Sequence, residues 1–553
     1  MFQVLTSSNL FKDLPQPSKH LLFQNPIGVI PMSISADLSF SILPSFWSTY
    51  FNENNQISIS ILLVFLVLTL FRFRPKFWRP CLPPGPCGLP LVGYLPFLSG
   101  NPHHKLTHLA KIYGPVYKLR LGPKLCIVLN SPASVKEAFH HQETLFPNRD
   151  TTVCALLSGY GGSGIVFAQD EGDWKKLRKI FTRKMISKSN LDASYFVRRQ
   201  EVRKVIKGVF ESVGTQIDIG KVSFHATMKS VLAMTWGDSG RLMGEDGVGL
   251  EEKFREMMDE LMVLLGSPNV SDVFPVLGRF DLQGIGRRTK KVMGVLDGIL
   301  NFSIEEQRKM GGKGNGEGKG GYLQLLLELQ DNEDNSECIT NDQLKALLLD
   351  IVIGGTETTA TTVEWAMAEL MQHPNTIKKV KEELKKVIGL NAVVEEFHFS
   401  KLCYLNAVIK ETLRLHPPIF LLVPRSLTSS TTLGGYYIPK DSTLYFNLWA
   451  IQRDPKTWDN PSKFMPERFI NNNNDNAMEF YPFGYGKKSC AGVALAERML
   501  MFILASLLHS FDWELPKDSV IDFKEKFGIV NKKLNPLVAI PTPTLSNSDL
   551  YLA

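Results

Sequence analysis

YPFGYGKKSCAG, residues 481–492, sets one cysteine among three glycines and just behind two lysines. A structural cysteine usually packs among apolar side chains. A reactive or metal-bound one works as a thiolate, which nearby positive charge favours. Gly484, Gly486 and Gly492 let the backbone approach a flat ligand closely and present its amide hydrogens. Amides aimed at the sulfur of Cys490 would stabilise a thiolate and tune a metal bound to it. No second Cys or His ligand stands nearby, which is wrong for zinc. It is right for a metal whose other ligands come from a macrocycle, and that means haem.

Three further motifs precede this loop. In "ITNDQLKALLLDIVIGGTETTATTVEWAMAELMQHP", Thr340 and Gln343 have capping-box spacing and Pro374 marks the end. The pattern predicts one helix of about 33 residues, roughly 50 Å long. Its middle, Gly354-Gly355-Thr356-Glu357-Thr358-Thr359, is poor helix former. Two readings stand: glycines that allow close helix packing, or a small-residue gap where a ligand meets a hydroxyl and a carboxylate that handle protons. In "KETLRLHPP", Glu411 and Arg414 are three apart and share a helix face. Alone, the pair reads as an exposed ion pair of small value. With Arg468 of "PERF" it could instead form a buried bidentate network fixing two distant segments.

The chain has 553 residues, 44% hydrophobic and 21% charged, an ordinary globular composition. Its net charge of +7 is mild for this length, and no nucleic-acid-binding motif occurs. Seven cysteines without a C-x-x-C pair argue against a zinc site or a disulfide framework and fit a reducing compartment. The uncharged run "ISISILLVFLVLTLF", Ile57–Phe71, spans about 23 Å as a helix. Extension to Phe73 with snorkelling Arg72 and Arg74 brings it near the roughly 30 Å needed to cross a bilayer. The basic flank "RFRPKFWR" places everything after it on the cytoplasmic side. The other readings of the run are a buried core helix or a signal-peptide core. The expected layout is therefore an N-terminal extension of no assigned function (1–56), a transmembrane anchor (57–73), a Pro-rich hinge (74–96), a catalytic domain (97–541) and a tail (542–553). "VYKLRL" and "LCIVLN" read as a strand pair around "GPK", and helical periodicity dominates 174–301 and 341–415. "GGKGNGEGKGG" (311–321) and "NNNNDN" (471–476) are flexible surface loops by composition.

In the order glycine-bearing helix, E-x-x-R, PERF and F-x-x-G-x-(basic)-x-C-x-G, these motifs resemble the cytochrome P450 monooxygenases. The resemblance runs from the Pro-rich hinge to about residue 541. Anchor, "PPGP" hinge, "RLHPP" and "PERF" are similar to plant microsomal members. Residues 148–181 and "GGTETTATTVEWAMAEL" are most similar to the plant family numbered 706, which includes sesquiterpene hydroxylases. The resemblance implies a mainly α fold with small β-sheets and an N-terminal anchor helix. It implies haem b ligated by Cys490, with Phe483 beside the sulfur and Gly484, Gly486 and Gly492 shaping the loop. Thr358 would hold dioxygen by a hydrogen bond and Glu357 would help relay protons. Glu411, Arg414 and Arg468 would form the structural network behind the loop. Trp174 and Arg178 of W-x-x-x-R, Arg425 of "LLVPR", and Lys488 would hold the haem propionates. Ile353, Gly354, Ile419, Phe420, Leu421 and Ile529 would line the substrate pocket.

One position departs from the family pattern: Lys488 stands where arginine is usual. Charge is kept but the planar fork is lost, which implies looser haem retention. The implied function is insertion of one oxygen atom of O2 into a lipophilic small molecule, sesquiterpenoid in the first instance. Flavonoids and other phenolics are the alternative. Electrons would come from NADPH through NADPH–cytochrome P450 reductase, since the chain shows no dinucleotide fingerprint: "GYGGSG" lacks the spacing and the preceding strand. Lys487 would help dock that reductase. The implied location is the endoplasmic reticulum membrane, single-pass, with the catalytic domain cytosolic. Two rivals are an isomerase or dehydratase on the same scaffold and a non-catalytic haem-binding membrane protein. The presence of both Glu357 and Thr358 weighs against each.

Overall fold

The computed structural model describes residues 81–98, 100–169, 171–237, 248–310, 321–331, 337–470 and 480–552. The extension 1–56, the anchor 57–73, hinge residues 74–80 and the two low-complexity loops, apart from Gly321, lie outside these residues.

Helices supply most of the structure. Those that build the site are α1 (Glu171–Ile180), α2 (Ile219–Trp236), α3 (Asn341–Gly355), α4 (Glu357–Gln372), α5 (Cys403–Leu415) and α6 (Val493–Ser510). Thr340 starts α3 as expected: its hydroxyl accepts from the Gln343 N–H, and the Gln343 side chain accepts from the Thr340 N–H, both at 3.2 Å. The single long helix expected from the sequence is in fact two. It breaks at Thr356, with φ −93° and ψ −76°, and resumes at Glu357. Two hydroxyls turn back on the helix at the break. Thr356 Oγ1 donates to Val352 O at 2.8 Å and Thr358 Oγ1 to Gly354 O at 2.6 Å. Such back-bonding loosens helices, and here it coincides with a pair of glycines.

The two glycines differ in their surroundings. A Cβ on Gly355 would stand 3.2 Å from Val231 of α2, so this glycine serves helix packing. A Cβ on Gly354 would meet nothing within 4 Å, and Gly354 is exposed although most of α3 is buried. Helix α6 is the one described helix apolar and long enough to cross a membrane, yet it is mostly buried inside the protein and serves as a core element.

The principal sheet has five strands: β1 (Val116–Leu121), β2 (Lys124–Leu129), β3 (Asn148–Arg149), β4 (Arg425–Ser426) and β5 (Thr443–Phe446). Their order is β1-β2-β5-β4-β3. β1 and β2 form the expected antiparallel pair, with Leu121 opposite Lys124 and the turn at Gly122, whose φ is +57°. β5 joins β2 in parallel and β4 antiparallel. Register matters to the site, because β3 and β4 place Arg149 directly opposite Arg425.

Two boundaries differ from expectation. The described part of the Pro-rich segment is docked along β1. Lys118 N donates to Pro84 O at 2.8 Å, Tyr94 N donates to Arg120 O at 2.6 Å, and a Cβ on Gly85 would run into the Lys118 carbonyl. The C-terminal segment is not a tail. The strand Val538–Pro543 pairs with Phe511–Glu514 across the expected boundary, and Tyr551 is 1% exposed. Its hydroxyl donates to Ser510 O at 2.8 Å, and its ring stacks on Phe210 at 4.3 Å.

Candidate functional site

The cysteine loop is a turn that only glycine tolerates at two points, Gly484 (φ +74°) and Gly486 (φ +75°). A Cβ on Gly486 would also run into the Glu143 carboxylate, which accepts the Lys487 backbone N–H. Cys490 N donates to Phe483 O at 2.8 Å, and Gly492 N donates to Cys490 Sγ at 3.3 Å. The loop thus aims one amide at the sulfur and then enters α6, with Gly492 as the residue before its first turn. Burial raises the Cys490 thiol pKa, while the Gly492 N–H and the Arg178 charge pull it down. Protein surrounds Cys490 on most sides, yet the residue is solvent-accessible. A thiol that is deep and accessible at once lines a cleft.

Cations gather around this loop. From α1, Arg178 donates to Ser489 O at 2.8 Å and lies 5.5 Å from the Trp174 ring centre. From β4, Arg425 donates to Tyr485 O at 3.2 Å and stands over Phe139 at 4.7 Å. Lys488 is buried, with its ammonium 4.0 Å above the Trp174 ring and donating to Ala168 O at 3.1 Å. Trp174 gives its one donor, the indole N–H, to Ile165 O at 3.1 Å. It therefore acts in this structure as a platform for Lys488 and Arg178.

Arg149 was not read from the sequence. It donates to Val423 O and Lys488 O, both at 3.1 Å, and its Nε is buried without a partner. Burial first, then Arg425 and Arg178, lower its pKa to about 9. Burial likewise brings Arg425 down to about 10. Among the described residues, Arg149, Arg178 and Arg425 have no carboxylate within ion-pair distance. Buried guanidiniums without counter-ions are costly. A dianionic ligand with two carboxylates, entering beside an accessible thiol, removes that cost, so the residues present fit haem b and its propionates. Lone arginines in short strands carry no periodic signal, and only the convergence of the chain shows Arg149.

At the break between α3 and α4, Ile353, Gly354 and Thr358 are partly or fully accessible within otherwise buried helices. Glu357 is 5% exposed and its Oε1 lies 2.6 Å from Lys532 Nζ, whose side chain is 46% exposed. Lys532, on the short strand Lys532–Lys533, was also unforeseen. Ile419, Leu421 and Ile529 are partly accessible. Phe420 is not: it is 3% exposed, with its ring against His103 at 4.0 Å. It sits in the turn at residues 420–421 and packs inward there.

Glu411, Arg414 and Arg468 meet. Arg414 binds Glu411 bidentately, Nε to Oε2 at 2.7 Å and Nη2 to Oε1 at 2.8 Å, with both side chains fully buried. Arg468 Nε reaches Glu411 Oε1 at 3.1 Å. The remaining Arg414 donors go to the carbonyls of Gln452, Pro461 and Lys463 at 2.8, 2.8 and 3.2 Å. One guanidinium thereby anchors the irregular chain that leads towards the cysteine loop.

Comparison with known proteins agrees with this geometry. Residues 83–540 match the family described as cytochrome P450. The chain is 37% identical over 474 residues to carnosic acid synthase of Salvia pomifera, covering 83% of this chain and 93% of that protein. It is 36% identical over 504 residues to flavonoid 3',5'-hydroxylase of Solanum melongena, covering 89% and 97%. Ferruginol synthase of Isodon rubescens is 34% identical, covering 88% and 99%. A solved zebra fish cytochrome P450 with progesterone superposes with a TM-score of 0.69 at 25% identity, covering 80% of this chain and all of that one. The chain belongs to the cytochrome P450 family and is a haem-thiolate monooxygenase.

Proposed function

We propose that the protein hydroxylates a sesquiterpenoid of plant secondary metabolism, as a member of the family numbered 706, at the endoplasmic reticulum membrane. Cys490, with Arg149, Arg178, Arg425 and Lys488, would hold haem b, which would supply the oxygen-activating chemistry. One oxygen atom enters a C–H bond of the substrate. The other leaves as water, with two electrons from NADPH through its P450 reductase and two protons from solvent.

The observation that carries the reading is the arrangement at the helix break. Thr358 presents an accessible hydroxyl beside open space at Gly354. Next to it, buried Glu357 contacts Lys532, whose ammonium reaches solvent. Glu357 and Lys532 together offer a proton route from the surface to Thr358, which isomerases and haem-storage proteins do not need. Ile353, Ile419, Leu421 and Ile529 give apolar walls suited to a hydrocarbon skeleton. A flavonoid substrate is the second reading, favoured by the flavonoid hydroxylase relative, whose alignment covers more of the chain than that of carnosic acid synthase. Exposed Lys487 is proposed to meet the reductase.

Yeast microsomes carrying the protein and a plant reductase test both levels. The reduced carbon-monoxide difference spectrum is expected to show the thiolate-type Soret band, and its absence from folded protein overturns Cys490 ligation. Incubation with sesquiterpenes and flavonoids in parallel then assigns the substrate. Hydroxylated flavonoid without any terpenoid product would replace the first reading by the second.

A further inference from the structure

Away from the haem site, three metal-ligand side chains converge. His103 Nε2 and His104 Nε2, in the first turn of the helix Pro102–Tyr113, lie 2.8 and 2.9 Å from the same oxygen of Glu525, Oε2. The three donor atoms all lie within 4.8 Å of one another. Glu525 comes from the short strand Glu525–Lys526, far along the chain. His103 is fully buried, Glu525 is 8% exposed and His104 is 45% exposed, so the cluster opens to solvent on the His104 side.

The surroundings of the carboxylate are the second observation. Glu525 is mostly buried and faces two imidazoles, with no Lys or Arg within ion-pair distance of it among the described residues. The Arg453 guanidinium, which is near enough to feel Glu525, donates instead to the carbonyls of Leu415 and Trp449. A buried anion without a cation is costly. Two imidazoles and one carboxylate with open positions form a donor set for zinc and other first-row divalent ions. Ligand atoms each about 2.1 Å from a tetrahedral zinc ion stand about 3.4 Å apart, so the hydrogen bonds of 2.8 and 2.9 Å that now join the three side chains would open by about half an ångström to admit the ion.

We propose that His103, His104 and Glu525 form a divalent transition-metal site, filled by zinc with water completing the shell. His103 Nδ1 has no hydrogen-bond partner. Metal-bound imidazoles normally donate that N–H to a partner, and its lack is expected to weaken binding by about 10–100-fold relative to a site that has one. A bound ion would fasten the helix Pro102–Tyr113 to the hairpin formed by Glu525–Lys526 and Lys532–Lys533.

Equilibrium dialysis of tag-free holoprotein against zinc, with metal analysis, tests this. One zinc per chain is expected. His104→Ala, a change on the exposed side that leaves the fold intact, and Glu525→Gln are each expected to weaken binding at least about tenfold. Exposed Cys81 and Cys87 are the competing zinc ligands, and Cys81→Ser/Cys87→Ser is expected to leave binding unchanged. Hydrogen exchange over residues 525–533 is expected to slow when zinc is added. Binding that survives His104→Ala, that vanishes with the two cysteines, or that is not measurable in the wild type overturns the site. If Glu525→Gln does not fold, His104→Ala decides alone.

Discussion

Lys488 stands where the family usually has arginine, and its surroundings show what a lysine does there. Its ammonium sits on the Trp174 ring and on the Ala168 carbonyl, while Arg149 reaches the Lys488 carbonyl. Arg149 thus brings a guanidinium to the place where the loop lacks one. Arg149→Ala removes a charge-assisted contact of about 1.5–3 kcal/mol. Haem loss to an excess of apomyoglobin is expected to quicken by about 10–100-fold. Lys488→Arg is expected to slow that loss, and equal rates would show that the departure is neutral. Lys532→Met leaves the Glu357 carboxylate buried without its cation. Because Lys532 is half exposed, a stability loss of about 1–2 kcal/mol is expected, between the surface and buried cases. Product formed per NADPH consumed is expected to fall as well, and unchanged coupling would remove Lys532 from the proton route. Cys490 was legible because it sits in a dense local pattern. Arg149, Lys532 and His103 were not, because their meaning lies in partners far away in sequence.

The elements around these residues were legible where local chemistry sets an end. Thr340, Gln343 and Pro374 marked the limits of α3 and α4, and the glycine–threonine run marked the weak point between them. The pattern did not tell a bend from a break, since that depends on what α2 presents to Gly355. Asp350 of α3 was passed over as one acid in an apolar run. It accepts from the Ile165 N–H at 2.6 Å and the Val166 N–H at 3.3 Å, pinning the segment that precedes α1. Burial raises its pKa to about 7 despite these two bonds. A carboxyl whose folded pKa exceeds its unfolded value contributes stability at low pH that is lost as pH rises through the folded pKa. Wild type is therefore expected to lose stability relative to Asp350→Asn between about pH 4 and 7, by a few kcal/mol. Melting temperatures of the two proteins across that range check this, and a constant difference would refute it. In α5, Glu411→Gln keeps the shape but leaves Arg414 charged and buried. A cost of about 3–5 kcal/mol is expected, a large part of a typical total of 5–15. Chemical denaturation of the variant holoprotein measures it.

Over the whole molecule, composition and helical periodicity announced a large, helix-rich globular chain, and the four motifs announced its family. The sheet was legible only for β1 and β2, whose strands are joined by a two-residue turn. The other three strands are short and come from distant segments, so nothing local pairs them. The C-terminus was misread for the same reason: Tyr551 is polar at its tip and near the chain end, yet it fills a space beside Phe210 and Phe511. Tyr551→Ala is expected to cost about 3–5 kcal/mol, as for other large buried aromatics. Thermal unfolding checks it, and a loss below about 1 kcal/mol would mean the segment is only resting on the surface. The Lys532–Glu357 contact has a consequence at this scale too. The hairpin that bears Lys532 also carries Ile529, proposed as a wall of the substrate cavity. A guest too bulky for that wall would push the hairpin outward and draw the ammonium off the acid. Fit and proton delivery would then move on one lever, and guests that fit poorly would waste reducing power.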